Sequence, residues 1–467
     1  MRVLWICNIM LPVIAQSFKQ EASHKEGWLT GLSNRILMHQ KENGIELGVC
    51  FPAEGEMSRW GKNIILPGEN TLYAFGFLEN VHQAEIYRTE TEDRLREIME
   101  EFRPDIVHCF GTEYPHTLAA VRAFGRPEKT LIGIQGLCAI YAEHFRADLP
   151  DSVWNRTTFR DKVKRDNLKQ QQKKYVLRGK NEIEAIKSVG HVTGRTAWDK
   201  HYTKLWNPDV QYHFMNETLR SNFYEGSWDS ESCKKHSIFL SQGDYPIKGL
   251  HYMLQAMPEI LKKYPDAEIY VAGNSIIKTA AEKGLSGLKG KIKLESYGKY
   301  IMSLMKETGT LEKVHFLGRL DAEQMKQRYL DSHVFVCPSS IENSPNSVGE
   351  AMLLGVPTVC SDVGGVSSIF HGEMCGAGVS LETEAYEGKV VKLEEGMTRK
   401  EDKRPGGILY SVNDIHALAD AVCRMFEGGE TVENYTKNAR EHARESHDPE
   451  KNYGRLMGIY SYIDEDI

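Results

Sequence analysis

The sequence lacks any apolar run close to the ~20 residues that an α-helix needs to span a bilayer. The apolar start, MRVLWICNIMLPVIAQ, is interrupted by Asn8 and Pro12. It holds one arginine and no A-x-A-like cleavage site, so it does not have the pattern of a secretory signal peptide. A buried first strand explains this stretch, and we expect no membrane-spanning segment.

The cysteine patterns that form disulfide frameworks or zinc sites are also absent. The nine cysteines are odd in number and scattered, without a C-x-x-C pair or a cluster with histidine. Most of them lie in apolar, strand-like stretches: Cys7, Cys50, Cys109, Cys337 and Cys360. We therefore predict reduced, buried thiols and a cytoplasmic protein.

An excess of positive charge is missing as well. The net charge is −7, from 58 Lys and Arg against 65 Asp and Glu, so the chain as a whole does not resemble a nucleic-acid-binding protein. No D-x-D pair is placed to hold a catalytic metal ion, and the sequence predicts neither a metal site nor a cofactor. Apolar residues make up 41% and charged residues 26%, the balance of a soluble globular protein.

What the chain does contain is a repeated alternation of strand-like and helical stretches. In the first half the strand-like stretches are RVLWIC, IELGVCF, DIVHCF, TLIGIQ and HVTG. In the second half they are HSIFLS, AEIYVAG, KVHFLG, HVFVCPS and VPTVCS. Strands that alternate with helices predict parallel sheets of the α/β class.

A chain of 467 residues is too long for one hydrophobic core. We predict two Rossmann-like, doubly wound domains facing a central cleft, the first at residues 1–220 and the second at 236–447. The polar stretch at 221–235 is predicted to be a linker. Residues 448–467 are predicted to form a final helix that packs back on the first domain. Ligands of such sheets bind at the carboxyl ends of the strands.

The most informative stretch is VFVCPSSIENSPNSVGEAMLLGVPTVCSDVGG. A strand ends near Pro338, and a helix is predicted to begin near Asn346 or Ser347. Glu342 then lies in the loop and Glu350 one turn inside the helix. The free N–H groups at a helix start form an anion site suited to a diphosphate, and the carboxylates can accept hydrogen bonds from hydroxyl groups. The E-x7-E spacing alone also fits a capped helix with two surface glutamates.

With G-V-P-T-V and D-V-G-G behind it, this stretch resembles the family-four class of retaining glycosyltransferases, which have the two-Rossmann-domain GT-B fold. The resemblance covers nearly the whole chain and is densest from about residue 236 to 366. It implies that Glu342 contacts the transferred sugar and Glu350 the ribose. The N–H groups near Asn346, Ser347 and Val348 would hold the phosphates. Gly318 is a further donor-binding candidate.

A second element of the resemblance is SQGDYPIKGLHYMLQAMPEI, a lysine–glycine turn after the first strand of the second domain. Lys248 would meet the charge that develops on the leaving diphosphate. The family usually has an arginine five residues earlier, where this chain has Gly243. Arg195 and Arg319 are the candidates for a second cation. Arg195 also fits a surface i,i+4 pair with Asp199.

In the first domain, EASHKEGWLTGL stands where the family often has a glycine-rich loop that approaches the donor. Gly27 matches this loop, whereas Glu26 replaces the commoner second glycine. Gly27 would equally serve to start a helix.

The stretch IVHCFGTEYPHT ends a strand and offers Glu113 and His116 as contacts in the cleft, although His116 also fits a packing role. Gln135 stands where many family members have a histidine. Its amide could bind a sugar hydroxyl but cannot act as an acid or base.

Residues 156–180 hold ten Lys and Arg against two Asp. Phe159, Val163, Tyr175 and Val176 give this segment an apolar side, so it fits peripheral contact with an anionic membrane. It equally fits a solvated helix. Aromatic interleaving and a binding motif for nucleic acid are absent.

The resemblance predicts a retaining, metal-independent hexosyltransferase of bacterial surface-polysaccharide assembly. Its donor would be a nucleotide sugar, with UDP or GDP as the carrier, and its acceptor a glycan or lipid-linked glycan. It would act in the cytoplasm or on the inner face of the membrane. Two alternatives remain open: a nucleotide-sugar 2-epimerase of the same fold, and an inactive nucleotide-sugar-binding protein.

Overall fold

The computed structural model describes residues 1–20, 27–66, 70–273, 276–281, 284–376 and 404–465. The chain divides into two compact units. The N-terminal unit consists of Met1–Ala142, Lys174–Arg220 and His447–Ile467, and the C-terminal unit of Glu143–Lys173 and Ser221–Ser446. Each unit is built around its own sheet.

The sheet of the N-terminal unit has the strand order β3-β4-β2-β1-β5-β6-β7-β8 in the described residues. All its pairings are parallel except the pairing of β3 with β4. Its strands are β1 (Arg2–Ile6), β2 (Glu46–Ala53), β3 (Gly61–Ile65), β4 (Thr71–Leu78), β5 (Ile106–Phe110), β6 (Thr130–Gly133), β7 (His191–Gly194) and β8 (Gln211–Phe214).

The sheet of the C-terminal unit has the order β11-β10-β9-β12-β13-β15-β14 in the described residues, and every pairing is parallel. Its strands are β9 (Lys234–Leu240), β10 (Glu268–Ala272), β11 (Val314–Gly318), β12 (Ser332–Cys337), β13 (Thr358–Ser361), β14 (Glu373–Cys375) and β15 (Ile408–Tyr410). β12 is buried along its whole length, as expected of a central parallel strand.

Helices connect the parallel strands of both sheets. In chain order the described helices are α1 (Pro12–Ser17), α2 (Gly27–Met38), α3 (Gln40–Asn43), α4 (Thr89–Phe102), α5 (His116–Phe124), α6 (Cys138–His144), α7 (Asp151–Trp154), α8 (Phe159–Lys164), α9 (Leu168–Lys187), α10 (Ala197–Trp206), α11 (Leu250–Lys263), α12 (Ile276–Ala281), α13 (Gly284–Ile292), α14 (Ser296–Glu307), α15 (Ala322–Leu330), α16 (Asn346–Leu354), α17 (Val366–Ile369), α18 (Ile415–Glu427), α19 (Glu430–Ser446) and α20 (Pro449–Glu465).

The final helix, α20, packs on the N-terminal unit. The hydroxyl group of Tyr460 accepts a hydrogen bond from the indole N–H of Trp5 (2.8 Å) and lies 2.8 Å from Nδ1 of His108. All three side chains are fully buried. Burial lowers the pKa of His108 to about 3, so this imidazole is neutral. The last helix is therefore part of the core of the N-terminal unit.

Two predicted boundaries differ from the structure. The segment 221–235 was predicted to be a linker, but Phe223 is fully buried and the indole N–H of Trp228 donates to the carbonyl oxygen of Ser332 (2.7 Å). Its apolar side chains therefore hold it on the C-terminal unit. Residues 143–173 were assigned to the first domain but pack on the C-terminal unit, where the Tyr252 hydroxyl donates to Asp148 (2.6 Å).

The sequence patterns did not predict three strands of the N-terminal sheet. β3 and β4 form an antiparallel hairpin at one edge, and β8 forms the other edge. The edge strands β3 and β8 face solvent on one side and carry mixed patterns, as in QYHF of β8, so they lack the continuous apolar run of a central parallel strand. This reason does not apply to β4, which lies between β3 and β2 and has the largely apolar sequence TLYAFGFL. The short strands β14 and β15 were missed for lack of length, since each has three residues.

Candidate active site

The predicted donor-binding residues collect at one edge of the C-terminal sheet. Because its strands are parallel, the loops that follow β9, β11, β12 and β13 leave the sheet on the same side. These loops carry Lys248, Glu342 and the D-V-G-G stretch that begins at Asp362, and Gly318 is the last residue of β11 at the same edge. Residues far apart in sequence thus meet in one place.

A 3₁₀ turn, Pro246–Lys248, presents Lys248 immediately before α11. Gly249 follows with φ of +70°, and a Cβ atom there would lie 1.8 Å from the carbonyl oxygen of Pro338. Only glycine satisfies both the left-handed backbone and this close approach. Glycine is therefore required after Lys248, because this turn packs directly against the end of β12.

Lys248 and Glu342 form an ion pair at this edge. Nζ of Lys248 lies 2.5 Å from Oε1 of Glu342, and the hydroxyl group of Ser339 donates to the same oxygen (2.8 Å). The side chains are 21% and 8% exposed, so water screens the pair only partly. The ion pair holds the ammonium group of Lys248 next to the carboxylate of Glu342, so both charges lie at the same sheet edge.

The D-V-G-G stretch supports the backbone of Glu342. The N–H group of Gly365 donates to the Glu342 carbonyl oxygen (3.0 Å). Gly364 has φ of +57°, and a Cβ atom there would lie 1.9 Å from the same oxygen. The sequence alone predicts no role for D-V-G-G or for Ser339. The two glycines in a row at a strand end were the signal of a close backbone approach.

Helix α16 begins at Asn346, within the predicted range. Its N-cap residue is Pro345, which provides no side-chain hydrogen bond to the first turn. The absence of a side-chain cap favours an anion at the positive end of the helix dipole. The N–H group of Val348, however, which was predicted to hold phosphate, donates to the carbonyl oxygen of Pro345 (2.9 Å). Glu350 lies in the second turn and is 6% exposed, and the carbonyl oxygen of Ser347 accepts a hydrogen bond from Tyr329 (2.9 Å).

The remaining candidates of this unit lie after β9 and at the end of β11. Gly318 ends β11 with φ of +84°, and its carbonyl oxygen accepts a hydrogen bond from the N–H of Gly273 (3.0 Å). Arg319, the next residue, is exposed. A Cβ atom at Gly243 would lie 2.8 Å from Cγ1 of Val271, so the backbone passes too close to β10 for an arginine.

In the N-terminal unit, His116 begins α5 and is fully buried. Its Nδ1 is paired with the carboxylate of Glu79, and its Nε2 lies 2.9 Å from Oδ1 of Asn8. Asn8 and Glu79 come shortly after β1 and β4, and His116 begins α5, so all three lie at the carboxyl edge of the sheet. Both ring nitrogens of His116 thus have partners within the N-terminal unit. This fits the packing role, the alternative that the sequence left open for His116.

Glu113 and Glu182 are two buried carboxyl groups at the same edge. Glu113 accepts a hydrogen bond from the N–H of Gly136 (3.2 Å). Glu182 accepts from the N–H groups of Cys138 (3.0 Å) and Ala139 (2.9 Å), which caps α6. Burial raises the pKa of Glu113, and it raises the pKa of Glu182 to about 8 because desolvation outweighs these donors.

The raised pKa of Glu182 predicts a pH-dependent stability. The folded state keeps this proton up to about pH 8, whereas the unfolded chain releases it near the ordinary value of 4.5. The stability that the proton provides is therefore complete below 4.5 and is lost as the pH rises through 8. In urea titrations, the free energy of unfolding of the wild type should fall between pH 5 and 8 relative to that of Glu182→Gln. Parallel pH profiles of stability for the wild type and Glu182→Gln would contradict this prediction. Glu184→Gln, at an exposed position, is the control and should follow the wild type.

Arg195 follows β7 and is buried rather than exposed on the surface. Its Nη1 lies 2.5 Å from Oε2 of Glu217, and the two side chains are 3% and 4% exposed. Its Nη2 donates to the side-chain oxygen of Gln135 (3.4 Å). Asp199 is not a surface partner of the guanidinium, because its carboxylate accepts from the Arg195 N–H (3.0 Å) and from the Tyr212 hydroxyl (2.6 Å).

Gly27 is the first residue of α2, as its alternative role predicted. A Cβ atom there would lie 2.2 Å from Cγ of Arg220, so the side-chain stem of Arg220 packs directly on the glycine. Donor contact by Gly27 stays a prediction. Glu26 lies outside the described residues.

Solved structures establish the class of fold. HepE of Anabaena, in complex with UDP and glucose, superimposes with a TM-score of 0.59 at 13% identity, covering 99% of this chain and 100% of that chain. WaaG, a glycosyltransferase involved in lipopolysaccharide biosynthesis, gives 0.57 at 12%, covering 98% and 99%. Two Rossmann-like units of this kind define the GT-B fold.

A family match covers part of the C-terminal sequence. Residues 227–442 match the family described as glycosyl transferases group 1. An uncharacterised glycosyltransferase of Methanocaldococcus jannaschii is 30% identical over 143 residues, 31% of each chain. This chain thus matches about a third of that relative's length.

Proposed function

We propose that the protein transfers a sugar from a nucleotide-sugar donor to a glycan acceptor with retention of configuration. The observation that carries this proposal is the grouping of Lys248 and Glu342, in direct contact, with the uncapped start of α16 at one sheet edge. A cation and the N–H groups at a helix start without a side-chain cap suit a diphosphate, and a held carboxylate suits the hydroxyls of a sugar.

In this proposal the donor diphosphate lies against the first turn of α16, at the N–H groups of Asn346 and Ser347, because that of Val348 donates to the Pro345 carbonyl oxygen. Lys248 meets the negative charge that grows on the diphosphate as the sugar leaves. Glu342 accepts hydrogen bonds from the sugar, and Glu350 from the ribose. The half-buried environment strengthens each of these interactions relative to water. The N-terminal unit receives the acceptor, and its Glu113 and Gln135 are further contacts to test. Arg319 is a contact to test on the C-terminal unit.

The reaction breaks the bond between the anomeric carbon and the diphosphate oxygen and forms one to the acceptor hydroxyl. The acceptor proton passes to an oxygen of the leaving phosphate, so no protein base is required. Gln135, where a histidine is common in the family, cannot act as a base. This fits a mechanism that depends on stabilising the leaving group.

The carrier nucleotide is proposed to be UDP or GDP, and the UDP complex of HepE supports the first. The acceptor is proposed to be a surface glycan or lipid-linked glycan, which the role of WaaG in lipopolysaccharide biosynthesis supports. The reaction would take place in the cytoplasm. Among the described helices, none is both long and apolar enough to cross a bilayer.

Product analysis tests the proposed function. The protein is incubated with UDP-sugars and GDP-sugars, with and without a glycan acceptor. A glycosylated product that forms only with acceptor, in the α- or β-configuration of the donor, supports retaining transfer. An epimerised nucleotide sugar without acceptor would identify a 2-epimerase. Binding of the donor without any product, shown by a rise in melting temperature, would identify an inactive binding protein.

Transfer is expected to survive EDTA, because Lys248 and the start of α16 supply the positive charge that a metal ion provides in other transferases. In the part of the chain that the structure describes, no three acidic, histidine or cysteine side chains are grouped to hold a metal. The rate is measured before and after chelation, with Mg²⁺ or Mn²⁺ added back. Complete loss on chelation that either ion restores would refute the metal-free mechanism.

A further inference from the structure

The C-terminal unit carries an unusual apolar surface on helix α8 and the end of α13. Phe159 and Val163 are 68% and 65% exposed, and their i,i+4 spacing places them on the same side of α8. Ile292, the last residue of α13, is 54% exposed. The three side chains line one groove of about 740 Å³. We call this group the α8–α13 patch.

Helix α8 is firmly held although its apolar side faces outward. Thr158 and Asp161 form a capping box at its start, with hydrogen bonds of 3.2 and 2.9 Å. Arg160, on the inner side, donates to the carbonyl oxygen of Asp166 (2.9 Å) and lies 3.5 Å from the carboxylate of Glu295. The exposure of Phe159 therefore belongs to an ordered helix rather than to a frayed end.

Exposed basic residues lie on the same segments as the patch: Lys162, Lys164, Arg165, Lys289, Lys291 and Lys293. The charged residues that line the groove itself are three cations, Arg160, Lys164 and Lys293, and two acids, Asp244 and Glu295. Glu295, just before α14, accepts a hydrogen bond from Gln171 (2.9 Å), and Asp161 caps α8. The predicted basic segment 156–180 is thus not one helix. It turns at Arg165, where φ is +51°, and only its first part joins the patch.

We propose that the α8–α13 patch docks the protein on an anionic membrane surface. Exposed apolar side chains with lysines on the same segments match the boundary between lipid chains and anionic headgroups. A second copy of this chain fits poorly, because pairing the patch with itself would bring two sets of lysines together. The inference goes beyond the transfer reaction and can be tested without any donor.

The test is sedimentation of the full chain with vesicles of phosphatidylcholine alone or mixed with phosphatidylglycerol. Binding to the anionic vesicles is expected, falling steeply with added salt. Lys162→Gln/Lys164→Gln should lower the partition coefficient about 30-fold, or about 5-fold for each cation. Phe159→Ser/Val163→Ser should lower it about 10-fold through lost apolar burial.

Matched variants separate the patch from general effects. Lys262→Gln/Lys263→Gln removes the same charge from the exposed end of α11, and Ile65→Ser/Leu205→Ser removes two exposed apolar side chains. Both should bind like the wild type, and melting temperatures confirm folding. The proposal is overturned if the wild type ignores anionic vesicles at low salt, or if each patch variant binds like its control. A patch variant that changes only the sedimentation velocity of the free protein would instead identify a contact between copies.

Discussion

Lys248→Met is expected to lower the rate of sugar transfer by about 10²–10³-fold, as loss of an oxyanion-hole donor does. Methionine keeps the length of the stem and removes the charge. Donor binding should weaken by about 1.5–3 kcal/mol, the scale of a charge-assisted hydrogen bond. Turnover should fall further, because the lysine gains strength as the diphosphate departs. Steady-state kinetics with saturating acceptor measure both effects.

The ion pair with Glu342 demands a control for stability. Removing Lys248 leaves a carboxylate that is only 8% exposed without its cation, which by itself destabilises the fold. Lys248→Met/Glu342→Gln removes both charges, so comparing its melting temperature with that of the single variant isolates this cost. Lys262→Met, on the exposed end of α11, is the matched substitution outside the site.

Lys248→Arg should recover part of the activity, since it restores the charge with a wider donor group. A folded Lys248→Met variant that transfers sugar at nearly the wild-type rate would contradict the proposal. The leaving group would then be stabilised by other residues, and the lysine–glycine turn would serve only to pack against β12.

Arg195→Met is expected to destabilise the N-terminal unit by about 3–5 kcal/mol, because it leaves the buried Glu217 carboxylate unpaired. The two groups lie 2.5 Å apart and are 3% and 4% exposed. Arg195→Met/Glu217→Gln removes both charges and should cost less than the sum of the single changes. Urea unfolding of the wild type, both single variants and the double variant gives the coupling energy.

Arg126→Met is the exposed counterpart, since Arg126 and Glu128 form a pair 47% and 53% exposed. It should change stability by less than about 1 kcal/mol. The experiment also decides between two roles for Arg195. If Arg195→Met unfolds at the same urea concentration as the wild type but loses transfer, the arginine acts on the substrate rather than in the core.

The C-terminal unit was the more predictable part of the chain. Its central strands are continuous apolar runs, and the stretch from Pro338 to Glu350 combines a strand end, a polar loop and a helix start within a few residues. Local patterns of this kind are visible in sequence because each depends on neighbours along the chain. The start of α16 at Asn346 is confirmed.

The N-terminal unit was less predictable because its polar groups find partners far along the chain. His116 pairs with Asn8 and Glu79, and Arg195 with Glu217. A sequence pattern shows that these residues are present but not which residues they contact. It therefore cannot distinguish an arginine in a buried ion pair from an arginine that contacts the substrate. Residues 143–173 illustrate the same limit, since their place depends on tertiary contacts such as that of Asp148 with Tyr252.

The sequence by itself determined the α/β class, the repeated parallel-sheet pattern, the helix start at Asn346 and the lysine–glycine turn, because these follow from local periodicity and backbone chemistry. Only the tertiary structure decided that Lys248 meets Glu342, that Gly364 supports the Glu342 loop, and that Phe159 stands exposed. Such pairings depend on how parallel strands order themselves in a sheet, and hydrophobic burial sets that order through contacts that no local window of sequence contains.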